Sequence, residues 1–133
     1  MALQCLYAVS IGDGNLEDLV DFITSERDES PSDETRGYCL QLTALTLKKQ
    51  EWADQLITSK LEHWDLGRIT LIDKLILELA LVEMVSFDEV PLKVSISEAI
   101  EIAKKYSTDD SPGFINGILD AAYHDLIKKE NNG

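Results

Sequence analysis

The chain has 133 residues, a length that suits one domain with a single core. Its 44% hydrophobic and 28% charged residues are a globular composition, which excludes the disordered and fibrous classes. Twelve Lys and Arg stand against 25 Asp and Glu, a formal charge of −13. That balance counts against autonomous nucleic-acid binding, which needs a basic patch to neutralise phosphates, and fits a basic protein partner better.

Cys5 and Cys39 lie far apart in apolar runs and form no C-x-x-C pair, so reduced core thiols in a cytosolic protein are expected. Asp73, Lys74, Glu78 and Glu83 interrupt the most apolar stretch, leaving no run long enough to span a membrane. The start, MALQCLYAVSI, lacks a basic segment and reads as a packed helix rather than a secretory signal. The cytoplasm is the expected compartment.

Glycine and proline are scarce, and the apolar residues recur at three- and four-residue spacing, so helices are expected throughout. A first helix covers residues 2 to 11 and ends at Gly12-Asp13-Gly14. From Asn15 to about Arg27, Leu16, Leu19, Val20 and Ile23 make one apolar face. Residues 28–33 form a polar loop in which Ser30-Pro31 or Asp33 offers a cap for the next helix. Tyr38, Leu42 and Leu45 then repeat at helical spacing, followed after a bend near Lys49-Gln50 by a run carrying Trp52, Leu56 and Leu61. His63 to Gly67 is a short linker.

Twelve of the 17 residues from Ile69 to Val85 are apolar, more than a surface helix needs, which implies a central helix contacted from several sides. At 100° per residue Thr70, Asp73, Lys74 and Glu78 share one polar stripe roughly 140° wide. Glu83 falls on the apolar side, where an unpaired carboxylate costs several kcal/mol. The next helix starts a few residues later, and the expectation is that Glu83 accepts from backbone amides near Val94 to Ile96.

Pro91 suits the first turn of that helix, with Ser95-x-x-Glu98 as a capping box if the start lies later. Ile96, Ala99, Ile100, Ala103 and Tyr106 form its apolar face, with Glu101 and Lys105 as an i,i+4 pair. Ser107 to Pro112 ends this helix and begins the last, with Ser111 as cap and Pro112 at the first helical position. Phe114, Ile115, Ile118, Leu119, Ala122 and Leu126 supply the final apolar face, and Gly117 within it implies the close approach of a neighbouring helix.

Chemistry-bearing motifs are absent. His63 and His124 lie in different regions without a nearby cysteine, so no metal site is expected. No Gly-rich phosphate loop, dinucleotide fingerprint or nucleophile elbow occurs, and an enzyme reading with its cofactors is rejected.

Three linked segments carry a specific resemblance: RITLIDKLILELALVEM, then F-x-x-V-P-L-K-V-S-I-S-E-A-I-E-I-A-K-K-Y-S, then D-D-S-P-G-F-I-N-G-I-L-D. In order and spacing they resemble the C-terminal half of the NusB family of transcription antitermination factors, and A-L-Q-C-L-Y resembles its first helix. The resemblance spans nearly the whole chain, residues 1–133, as a single domain. It implies an all-α fold of about seven helices in two packed small bundles. It also implies a non-catalytic protein that pairs with NusE, a small-subunit ribosomal protein. Together the two would bind the boxA element of nascent ribosomal RNA leaders, reach the RNA polymerase elongation complex indirectly and help it pass terminators.

By the same resemblance Tyr7 and Asp73 match positions on or next to the partner-facing surface. Asp110, Phe114 and Asn116 match the loop and helix start associated with RNA, where an exposed Phe stacks on a base. Core packing against Ile118 is the competing role for Phe114.

The chain also departs from the family pattern. No Lys or Arg occurs before Arg27, so no basic arm is expected, and Glu78, Ser97 and Gly113 stand where the family often has Arg, Asn and a basic residue. Lys74, Lys93, Lys104 and Lys105 are the remaining candidate cluster, Lys93 being the one assigned to RNA. Weak RNA binding without a basic NusE partner is expected. Two other readings stay open: a NusB-like protein-interaction domain that has lost autonomous RNA binding, and the helical accessory domain of an rRNA cytosine methyltransferase, disfavoured because no cofactor-binding pattern follows Asp120. Some relatives form homodimers, and the sequence does not distinguish these from monomers.

Overall fold

Where apolar residues recur every third or fourth position the chain is helical, and the computed structural model, which describes residues 2–10, 32–61 and 69–132, contains no strand among them. Six helices are described: α1 (Ala2–Ser10), α2 (Asp33–Lys48), α3 (Gln50–Lys60), α4 (Leu71–Ser86), α5 (Leu92–Tyr106) and α6 (Ser111–Asn132). The helix expected from Asn15 to Arg27 and the linker His63 to Gly67 lie outside the described residues. The chain divides into two compact units, residues 1–49 and 50–133.

In the first unit α1 packs on α2. Leu3, Cys5 and Leu6 are buried from α1, and Cys39, Leu42, Thr43 and Thr46 from α2. Neither cysteine is in a disulfide, and burial pushes the Cys5 thiol up, so it stays protonated and behaves as a small apolar group. Thr43 and Thr46 tolerate the core because their hydroxyls donate to the carbonyls of Cys39 and Leu42, each at 2.7 Å. The cap of α2 is Ser32, whose Oγ accepts from the Thr35 amide at 3.1 Å, rather than Ser30 or Asp33. Asp33 is the first helical residue, where its charge faces the positive end of the helix. The helix stops at Lys49, next to the position where a bend is expected.

In the second unit α4 packs against α3, α5 and α6, and α6 also packs against α3 and α5. Ten α4 side chains from Leu75 to Met84 are buried without interruption, so this helix is the core of the unit. The α3 face toward it is Ala53 and Ile57; Trp52, expected inside, is 37% exposed because it lies one position off that face. Ile96, Ala99 and Ala103 of α5 and Ile115, Ile118, Leu119 and Ala122 of α6 complete the core, while Tyr106 is exposed. Lys60 of α3 and Asp125 of α6 form an ion pair at the surface.

Several local expectations are revised. Asp73 and Glu78 do not face solvent on the polar stripe; both are buried, because neighbouring helices cover that side of α4 as well. Glu83 is buried as expected and ties α4 to α5, through the Ser95 hydroxyl, which donates to its Oε1 at 2.6 Å, where backbone amides were expected. Ser95 is therefore turned inward and does not open a capping box; α5 starts at Leu92 with Pro91 as cap, its carbonyl accepting from Val94 and Ser95. Glu101 pairs with Lys104 at 3.2 Å, and Lys105 lies over the Tyr106 ring instead. No helix presses on Gly117: it is exposed, with nothing within 4 Å of where a Cβ would sit.

Glu78, fully buried, faces Gln50, Asp54 and Lys74. The Gln50 amide donates to its Oε1 at 2.9 Å, and the Lys74 ammonium lies 3.7 Å from its Oε2 and 3.6 Å from Asp54. Burial first, then a proton shared with Asp54, push the Glu78 carboxyl up to about 8, with Gln50 and Lys74 pulling the other way. Glu78 Oε2 and Asp54 Oδ1 are both buried and accept from no hydrogen-bond donor, a setting that favours the neutral carboxyl.

Two outcomes follow from this packing. Gly117→Ala adds a methyl to open space on a helix and should stabilise the protein by about 1 kcal/mol in urea denaturation. The folded-state value for Glu78 lies above its ordinary 4.5, so between that value and about 8 the unfolded chain binds fewer protons than the folded one. Its contribution to stability is complete below that window and lost as pH rises through it. Glu78→Gln should flatten this fall, measured as the stability difference between the two ends of the window; an unchanged slope would remove the shared proton.

Candidate functional site

At the α5–α6 junction polar groups from α4, α5 and α6 converge on an open cavity. Helix α5 ends as the Ser107 amide donates to the Ala103 carbonyl at 2.9 Å. Three residues later the Asp110 carbonyl accepts from the Phe114 amide at 3.2 Å, which makes Asp110 the cap of α6. Ser111 is thus the first helical residue and Pro112 the second, so the helix starts one residue earlier than expected. The difference matters because Ser111, no longer a cap, sends its hydroxyl inward.

Asp73 receives it. The carboxylate is only 7% exposed and accepts from Ser107 Oγ at 2.6 Å and from Ser111 Oγ at 2.9 Å. Each serine has one hydroxyl proton, and both are committed to Asp73. The Thr108 hydroxyl, 2.8 Å from Ser111 Oγ, is therefore the donor in that pair, and the Thr108 amide adds a longer contact at 3.3 Å. Thr70 caps α4 from the other side, its Oγ1 accepting from the Asp73 amide at 3.2 Å.

Above this network lies a cavity of about 190 Å³ lined by Ile69, Thr70, Asp73, Thr108, Asp110, Ser111 and Phe114. Phe114 is half-buried, so part of its ring packs and part borders the cavity; the two roles weighed for it are not exclusive. Asp110 and Asn116 are exposed nearby in sequence, at the cap and in the second turn of α6.

The structure joins some of the expected site residues and separates others. Asp110 and Phe114 line one cavity with Asp73. Asp73, expected on or beside a partner-facing surface, is turned inward with both oxygens occupied. Lys93 sits in the first turn of α5, about 20 Å along the helix from the junction at 1.5 Å per residue. The expected lysine cluster does not form: Lys74 is held by Asp54 and Glu78, and only Lys104 and Lys105 lie in the last turn of α5 beside the junction. Tyr7 is 39% exposed on α1, in the first unit. Ser107, Thr108 and Ser111 were missed as functional residues; their signal, three hydroxyls within five residues at a helix junction, is common at helix ends and points nowhere without Asp73. Among the described residues no group of His, Cys, Asp and Glu is arranged to hold a metal, and no helix is long and apolar enough to cross a membrane.

The fold is that of transcription antitermination factors. It matches NusB of T. maritima with a TM-score of 0.78 at 32% identity, covering 90% of this chain and 83% of that one. A chain in a crystal structure of the antitermination factors NusB and NusE in complex with double-stranded RNA has the same fold, with a TM-score of 0.79 at 20% identity over 92% of this chain and 90% of that one. In sequence the chain is 42% identical over 125 residues to the transcription antitermination protein NusB of Salinibacter ruber, covering 93% of this chain and 77% of that protein. It is 37% identical over 120 residues to that of Geobacter sulfurreducens, covering 90% and 86%. The chain belongs to the NusB family, which it matches over residues 1–124.

The Thr70 cap supports the floor of the cavity, and Thr70→Ala should lower stability by about 1 kcal/mol in urea denaturation while leaving helix content unchanged by circular dichroism.

Proposed function

We propose that this protein is a non-catalytic, cytoplasmic transcription antitermination factor that pairs with NusE and, as that pair, binds boxA RNA of nascent ribosomal leader transcripts, acting on RNA polymerase through the complex. The observation that carries this reading is an open, Phe114-lined cavity at the α5–α6 junction of a NusB-family chain, with Asp110 and Asn116 exposed beside it. A half-buried Phe is held firmly enough to present one face and is open enough to take a base on it. The cavity, about 190 Å³, has the polar groups of Thr70, Thr108 and Asp110 in its lining. In the solved complex of the same fold, NusB and NusE are assembled with double-stranded RNA.

The electrostatics favour a division of labour. With a formal charge of −13, and with Lys74 engaged internally, the chain offers RNA few phosphate contacts of its own. A basic partner supplies the counter-charge, and this chain supplies the stacking and shape. The same observation supports the second reading, an interaction domain that no longer binds RNA by itself. Tyr7, exposed on α1, is the side chain we assign to partner contact, and Lys93 to a phosphate distant from the cavity.

Fluorescence anisotropy with labelled boxA RNA tests the proposal. The chain alone should bind weakly at physiological salt and the mixture with NusE tightly, with a steep loss of affinity as salt rises. Phe114→Leu, which preserves packing but removes the stacking face, should weaken the ternary complex by about tenfold to a hundredfold. Tight binding by the chain alone, or none with NusE, would overturn the reading.

A further inference from the structure

We propose that Asp73 is a positioning residue for RNA: its buried carboxylate, gripping the Ser107 and Ser111 hydroxyls, holds the α5–α6 junction in the one geometry that sets Asp110 and Phe114 at the cavity mouth. This rests on the reading above and adds a role that Asp73 exerts through the Ser107 and Ser111 hydroxyls.

A buried carboxylate normally has a cation beside it, since leaving it unpaired costs several kcal/mol. Asp73 has none among the described residues, and the adjacent Lys74 points to Asp54 and Glu78. What Asp73 has instead is position. It lies in the first turn of α4, three residues after the Thr70 cap, and against the first residue of α6. Two helix N-termini, each with a partial positive charge and unsatisfied amides, face the same carboxylate. The hydroxyls complete its shell, one on each oxygen.

The consequence lies in where those serines stand. Ser107 closes α5 and Ser111 opens α6, so the two anchors bracket the turn Thr108–Asp110 and fix both of its ends. A three-residue turn with both ends fixed has little conformational freedom left. The Thr108 hydroxyl, donating to Ser111, removes more of it. Because Asp110 caps α6 through the Phe114 amide, the direction of the Phe114 side chain is set by the same turn. A single carboxylate thus controls the approach of two residues assigned to RNA.

Asp73→Ala, Asp73→Asn, the double variant Ser107→Ala/Ser111→Ala and the triple variant with Asp73→Ala test this, each as the full chain. RNA affinity is measured by anisotropy at saturating NusE, NusE affinity by calorimetry without RNA, and local opening by amide hydrogen exchange. Asp73→Ala and the serine pair should each weaken RNA binding by about tenfold, the loss expected for hydrogen bonds to a charged group. The triple variant should be no weaker than either, because both changes release the same anchor. NusE affinity should hold within about twofold. Exchange should accelerate from Ser107 to Phe114 and not in the centre of α4. Asp73→Asn keeps one acceptor and should recover part of the affinity, and together with the serine variants it keeps the test open if Asp73→Ala fails to fold.

Unchanged RNA affinity, additive losses, or a loss of NusE binding on Asp73→Ala that the serine variants do not share would each overturn the proposal. The last outcome would mean that Asp73 meets the partner directly. If the unaltered chain with NusE binds no RNA, the functional reading fails, and exchange alone then decides the anchor: acceleration confined to the junction upholds it, and unchanged exchange overturns it.

Discussion

Helix α4 is buried without interruption from Leu75 to Met84, yet it carries three buried carboxylates, and each is tied to side chains of other helices. Asp73 takes hydroxyls from the end of α5 and the start of α6, Glu78 meets Gln50 and Asp54 of α3, and Glu83 takes the Ser95 hydroxyl of α5. A helix that is apolar on every side gains nearly the same free energy in many rotations, because burial is non-directional. Buried charges are directional and costly when unmet, so they permit few of those rotations. The acids therefore specify which helix lies on which side of α4, while Leu75, Leu77, Leu81 and Val82 supply the bulk of the burial.

The three solutions differ in chemistry. Glu78 keeps a proton and shares it with Asp54, which leaves one negative charge near Lys74 instead of two. Glu83 is matched by a hydroxyl, while partial burial first and the Glu83 charge second raise the Glu98 carboxyl on the next helix. Asp73 is held at two helix starts. The last arrangement reaches the surface at the cavity bordered by Phe114. The fold's organising interaction and the candidate RNA site are joined through one side chain.

The same residues mark the boundary of what could be read in advance. The all-helical class, the break at Lys49, the central place of Ile69 to Val85 and the burial of Glu83 follow from spacing and composition, since a 3.6-residue period and a charge on an apolar face are local properties. The motif segments also located the junction at Ser107 to Pro112. The expectations that failed were ones that depend on a second helix. Asp73 and Glu78 looked solvated because a polar stripe on one helix says nothing about what covers it. Ser95 and Ser111 looked like caps because serine at a helix start commonly is one, and only the acids on α4 turn them inward. Gly117 looked like a close contact, and it faces open space.

Sequence by itself determined the helical class, the family and the short list of residues around the last helix start, because these rest on periodicity and on motifs read along one strand of chain. Tertiary structure alone decided that Lys74 is spent on Asp54 and Glu78, that Lys93 stands far from Phe114, and that Asp73 is an internal anchor. The physical reason is that a charge is defined by its surroundings: whether a carboxylate meets water or a hydrogen-bond donor is settled by residues 12 to 38 positions away, which only the folded packing brings together.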